Sequence, residues 1–152
     1  MHLVLNVIFH ERKGLAGGNS PESSTDQFMV ENKAVTSEKL AHTIVEAVQD
    51  KKGIDVVLID LREIHNAFTD FFVICSGNSD TQVDALKRSV EEMVHKKLDD
   101  EPIRVEGAQV GEWVLLDYVD VVAHVFLKRK REFFGLEELW GDGKITTYSN
   151  PE

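Results

Sequence analysis

The sequence predicts an α/β sandwich in which a mixed five-stranded sheet is packed with helices. Three observations carry that expectation. Two short runs, "DVVLIDL" (55–61) and "FFVICS" (71–76), are apolar nearly throughout, as central strands covered on both faces are. A helical pattern precedes the first run and another follows the second. Three more strand-like runs then come close together, which departs from the strict alternation of a doubly wound parallel sheet.

The elements follow in order. In "SEKLAHTIVEAVQDKKG", Leu40, Ala41, Ile44, Val45 and Val48 recur at helical spacing. Thr36 or Ser37 can cap the start, and Lys51, Lys52 and Gly53 suit the stop. After the two strands, Ser79 and Gln82 form an S-x-x-Q capping box. Val83, Leu86, Val90, Met93 and Val94 give the second helix its apolar stripe. The later strands are "PIRVEG" (102–107), "EWVLLD" (112–117) and "VVAHVFL" (121–127), the last two joined as a hairpin across "DYVD". "FGLEELW" (134–140) is a closing helical segment.

The chain thus divides into an extension (1–34), a folded domain (35–141) and a polar tail (142–152). The extension contains "GLAGGNSPESSTDQ", with little to bury, and reads as disordered or as a segment ahead of a native start at Met29. A length of 152 residues suits one domain with a real core. No apolar run approaches the roughly 18 residues of a membrane span. The opening "MHLVLNVIF" lacks the basic flank of a secretory signal, so a cytoplasmic location is expected. The 27 acidic against 17 basic residues give a net charge of −10. That balance opposes binding to DNA by broad phosphate neutralisation and suits a basic partner. Cys75 is the sole cysteine, so a disulfide within the chain is excluded and a buried thiol is expected.

Candidate chemistry is sparse. The turn in "ICSGNSDTQV" invites a phosphate, but its glycines match neither the P-loop nor the dinucleotide pattern, and Asp80 would repel an anion. Nucleotidyl transfer needs carboxylates converging on metal, which a strand supplies as D-x-D because residues two apart share a face. Asp117 and Asp120 are three apart, and Asp60 has no such neighbour. "D-Y-V-D" therefore reads as a hairpin connection, with His124 a core or interface residue beyond it. No catalytic residue, metal ligand or cofactor is expected. Trp113, Tyr118, Phe126, Phe133, Phe134 and Trp140 crowd the last third beside the basic run 128–131. Binding surface and plain core both remain open for them.

At these residues the chain resembles the ribosomal silencing factor family, also called Iojap-related proteins. The resemblance covers residues 37–141. Its most specific block is D-x-x-D-V-x-x-H-V-F followed by R-x-F-x-x-L-E-x-L-W. It implies a fold similar to nucleotidyltransferases, without known catalysis. It also implies binding to the large ribosomal subunit through that subunit's ribosomal protein fourteen, which blocks joining of the small subunit when nutrients are scarce. Carried over by position, Trp113 is the expected contact anchor, with Leu115, Asp117, Tyr118, Arg131 and Glu137 as further partner contacts. Asp120, His124, Leu136 and Trp140 are expected to hold the hairpin and the closing block in shape. Val119 replaces the family's usual glycine, and Phe134 its usual tyrosine. The alternatives are a large-subunit assembly factor and a metal-dependent nucleotidyltransferase. A homodimer covering the apolar patch is expected off the ribosome.

Overall fold

The structure, a computed structural model, describes residues 35–152. The expected extension 1–34 and the start at Met29 lie outside the described residues. Helix α1 (Ser37–Asp50) leads into strands β1 (Ile54–Asp60) and β2 (Phe71–Gly77), then helix α2 (Asp80–Leu98). Strands β3 (Arg104–Glu106), β4 (Trp113–Asp117) and β5 (Val121–Leu127) follow, then short helices α3 (Lys128–Phe134) and α4 (Leu136–Leu139) and strand β6 (Lys144–Thr147). The sheet is mixed, in the order β3-β4-β5-β2-β1-β6. Among the described residues, only the central β2–β5 pair runs parallel; the other neighbours are antiparallel.

The helices form where the apolar spacing placed them. Leu40, Ala41, Ile44, Val45 and Val48 line the buried stripe of α1. Ser79 caps α2 by accepting from the Gln82 N–H (3.2 Å). The Gln82 side chain accepts from the Asn78 N–H (2.7 Å) and donates to the Lys52 carbonyl (3.0 Å). The capping box thereby ties the start of α2 to the end of α1. A buried bond from Ser89 Oγ to the Ala47 carbonyl (2.7 Å) fixes the two helices to each other. Neither is long and apolar enough to cross a membrane.

Alternation along the strands gives the sheet two unlike faces, since directly paired residues point the same way. One face presents Val73, Cys75, Val114, Leu116, Ala123 and Val125, all buried. These aliphatic and small side chains pack beneath α1 and α2. The other presents Phe72, Ile74, Ser76, Trp113, Leu115, Asp117, Val122, His124 and Phe126. Phe134 and Trp140, from the closing helices, reach onto this aromatic face.

Two expectations need correction. The sheet has six strands rather than five, because residues 144–147 of the expected polar tail pair with β1. All four are exposed, so no apolar alternation advertised the strand. The closing helix starts at Lys128, not at 134, and breaks at Gly135, whose φ of 57° is a left-handed C-cap. The basic run 128–131 is therefore the first turn of a helix.

Candidate functional site

The aromatic face is where the candidate residues converge. Trp113, opposite Phe126 in the β4–β5 ladder, stacks on it with ring centroids 5.1 Å apart. Phe134 lies across both rings, 5.1 Å from Trp113 and 5.8 Å from Phe126. The indole Nε1–H of Trp113 donates to His124 Nδ1 at 3.0 Å. Phe72 meets the His124 ring edge-on at 4.7 Å and Trp140 at 5.7 Å. Such offset and edge contacts add about 0.5–1.5 kcal/mol per pair beyond area burial.

His124 is a core residue of this cluster. It is buried, its Nε2 has no hydrogen-bond partner, and burial lowers its pKa to about 3. The imidazole is therefore neutral at pH 7. Because Nδ1 accepts from Trp113, the ring proton sits on Nε2. Neighbouring Cys75 faces the opposite side of the sheet, where burial pushes its thiol up to about 12. That thiol is inert at neutral pH.

The "D-Y-V-D" segment is a tight hairpin turn. Asp117 Oδ1 accepts from the Val119 N–H at 2.8 Å, and the Tyr118 N–H donates to the Val121 carbonyl at 2.9 Å. Val119, where the resemblance implied glycine, sits at φ 74°, a conformation in which a β-branched residue is strained. The Asp120 carbonyl accepts from the N–H groups of Asp70 (2.8 Å) and Phe71 (3.2 Å), fastening the turn to the start of β2. Tyr118 is buried, and desolvation with Glu91, Asp100 and Glu101 around it raises its phenol above the usual range. Among the described residues, no group of three or more His, Cys, Asp or Glu side chains is placed to hold a metal ion.

Arg131 joins the closing helices to the sheet. Its Nε donates to Glu137 Oε1 (2.7 Å), while Nη1 donates to the Asp55 carbonyl (2.5 Å) and Ser76 Oγ (3.1 Å). Leu136, next to Glu137 in the chain, is buried. Ser76 and Asp55 carried no motif in the sequence, so this anchoring was not legible there.

The structure therefore puts Trp113, Leu115, Asp117 and Tyr118 inside the molecule, although the resemblance implied partner contacts at these positions. Trp113 is only 9% exposed. What the aromatic cluster offers to solvent is Phe133, 78% exposed, whose ring packs on Phe134 at 5.3 Å. Lys130 Nζ lies 5.7 Å from the Phe133 centroid, and Lys130 also pairs with Glu112 at 3.9 Å. Leu139, on the next helix, is exposed as well. Helical spacing could not tell which of the adjacent Phe133 and Phe134 faces outward.

Residues 34–152 match the profile of the family described as ribosomal silencing factor during starvation. The ribosomal silencing factor RsfS of Halalkalibacterium halodurans is 40% identical over 108 residues, 71% of this chain and 91% of that protein. The crystal structure of a Chromobacterium violaceum protein superposes with a TM-score of 0.66 at 31% identity, covering 76% of this chain and 95% of that one. One from Bacillus halodurans gives 0.61 at 38% identity, covering 74% and 98%.

Proposed function

This chain belongs to the ribosomal silencing factor family, and from that premise we propose that it is a non-enzymatic factor with a ribosomal silencing or assembly role. In this reading it binds the large ribosomal subunit in the cytoplasm through ribosomal protein fourteen and keeps the small subunit from joining. The mechanism is steric. The single observation that carries it is Phe133, 78% exposed, whose ring meets half-buried Phe134 edge-on at the outer side of the Trp113–Phe126 stack. Trp113 acts as the base of that stack. Leu115, Asp117 and Tyr118 hold the strand and turn behind it, and the Arg131–Glu137 pair fixes the helices that carry the patch. Lys130 supplies a rim charge, while the net charge of −10 steers the chain toward a basic protein surface. Away from the ribosome, a second copy covers the patch. The likeness to nucleotidyltransferases rests on the mixed sheet with two helices against one face, with no catalytic step attached.

Co-sedimentation with isolated ribosomal subunits tests this. Wild type is expected to pellet with large subunits only. Phe133→Ala should lose about 2–4 kcal/mol of binding, as an interface hot spot does. Its folding stability should stay within about 0.5 kcal/mol of wild type, as for other surface changes. Undiminished binding by the variant would place the contact elsewhere. Wild type pelleting with neither subunit would overturn the reading itself.

A further inference from the structure

The edge of β1 is covered by the chain's own tail. Strand β6 pairs antiparallel with β1, Val57 opposite Thr147, Leu58 opposite Thr146, Ile59 opposite Ile145 and Asp60 opposite Lys144. Beyond it the Tyr148 N–H donates to the Val56 carbonyl (3.0 Å). The Asn150 side chain then clasps Asp55 twice, accepting from its N–H (2.7 Å) and donating to its carboxylate (2.9 Å). Asp55 is the bulged residue of β1, at φ 50°, so the clasp recognises an irregular shape as well as an edge. Gly143 completes the fit, because a Cβ there would meet Ile59 Cγ2 at 2.6 Å and the Asp60 carbonyl at 2.9 Å.

Yet little besides these bonds holds the tail. All four β6 residues are exposed, and the one large apolar side chain among them, Ile145, is only partly covered at 47% exposure. Just upstream the chain is anchored, with Leu136 buried and Trp140 packed on Phe72. The change from anchored to lightly held falls on Gly141, Asp142 and Gly143.

We propose that the edge of β1 is a strand-accepting surface whose second occupant is the tail of another copy of this chain, exchanged through the Gly141–Gly143 hinge. The contacts made by a copy's tail are identical to those made in the same chain. The two forms therefore differ only in hinge conformation and in the entropy of association. A short tether gives the chain's own tail an effective concentration of about millimolar order, so exchange grows as the protein approaches that range. A reciprocal exchange also leaves no β1 edge open to further strands, which closes the assembly at two.

Cysteine pairing in the full-length chain reads the exchange directly. The double variant Val57→Cys/Thr147→Cys should close a bond within one chain, since paired positions bring the two Cβ atoms together. Mixing chains that carry only Val57→Cys with chains that carry only Thr147→Cys should give a disulfide-linked heterodimer. Its yield should rise with concentration and fall several-fold when Ser149→Cys, two residues out of register, replaces Thr147→Cys. Leu58→Cys with Thr146→Cys repeats the measurement if Val57→Cys does not fold. Cys75 stays silent, being buried. If the double variant closes but mixed chains never link, the tail serves only its own chain and the proposal is wrong. Linking regardless of register would mean random thiol collision and would equally overturn it.

Discussion

The two faces of one sheet are built from alternate residues of the same strands, yet they solve different problems. The face toward α1 and α2 is aliphatic, and helices of 14 and 19 residues cover it. The opposite face is aromatic, carries a buried histidine, and is covered by helices of only 7 and 4 residues. Long helices can bury a full stripe, so the first face supplies stability. Short helices cannot, so Phe133 remains in solvent and a polar ring is retained among the aromatics. The lesson is that a single strand, read at a period of two, can hold a core and present a surface at once.

The sharpest way to break this contrast is a cavity on the helix-covered side. Leu86→Ala, at a fully buried position, should cost about 2–5 kcal/mol in denaturant unfolding. A loss below that range would show that this side is less tightly packed than its burial implies. On the aromatic side, Trp113→Phe keeps a ring but removes the donor to His124. The expected loss is about 1–3 kcal/mol, the penalty of an unsatisfied buried acceptor.

Acidity separates the faces further, because only the aromatic one holds a buried imidazole. His124 has a folded pKa of about 3 against an ordinary value near 6.5. The folded state thus binds fewer protons, and its stability is fully present above pH 6.5. It declines as pH falls from there toward 3, by at most about 1.4 kcal/mol per pH unit from this residue. Urea midpoints measured across that window should show the slope in wild type and a flatter one in His124→Gln. The smallest effect belongs to the turn. Val119→Gly should relieve the positive φ and stabilise by about 1 kcal/mol, less the entropy glycine gains when unfolded. A thermal midpoint unchanged or lowered would mean that the turn carries no strain.

Much of the layout was legible because burial writes itself as apolar runs. The strands at 71–76 and 121–127 and both long helices lie within a residue or two of their expected bounds. The S-x-x-Q box was legible as a cap, though its glutamine reaches Asn78 and Lys52 rather than Ser79. Strand β6 was not, because "KITT" borrows its order from the edge of β1 and has no fully buried residue of its own. The burial of Asp117 and Tyr118 was also hidden. A carboxylate spent on a turn N–H and a phenol wedged behind a strand look the same in sequence as groups offered to a partner. The resemblance named partner contacts in this region of the chain, and only side-chain direction shows Phe133 outside and Trp113 within.

The stacking around Trp113 has an experimental consequence. The chain's two tryptophans, Trp113 and Trp140, both pack on the aromatic face, and none lies among the residues of α1 or α2. Intrinsic fluorescence is therefore a one-sided reporter. It should respond when α3 and α4 lift or when something seats on Phe133, and stay dark to changes beneath the long helices.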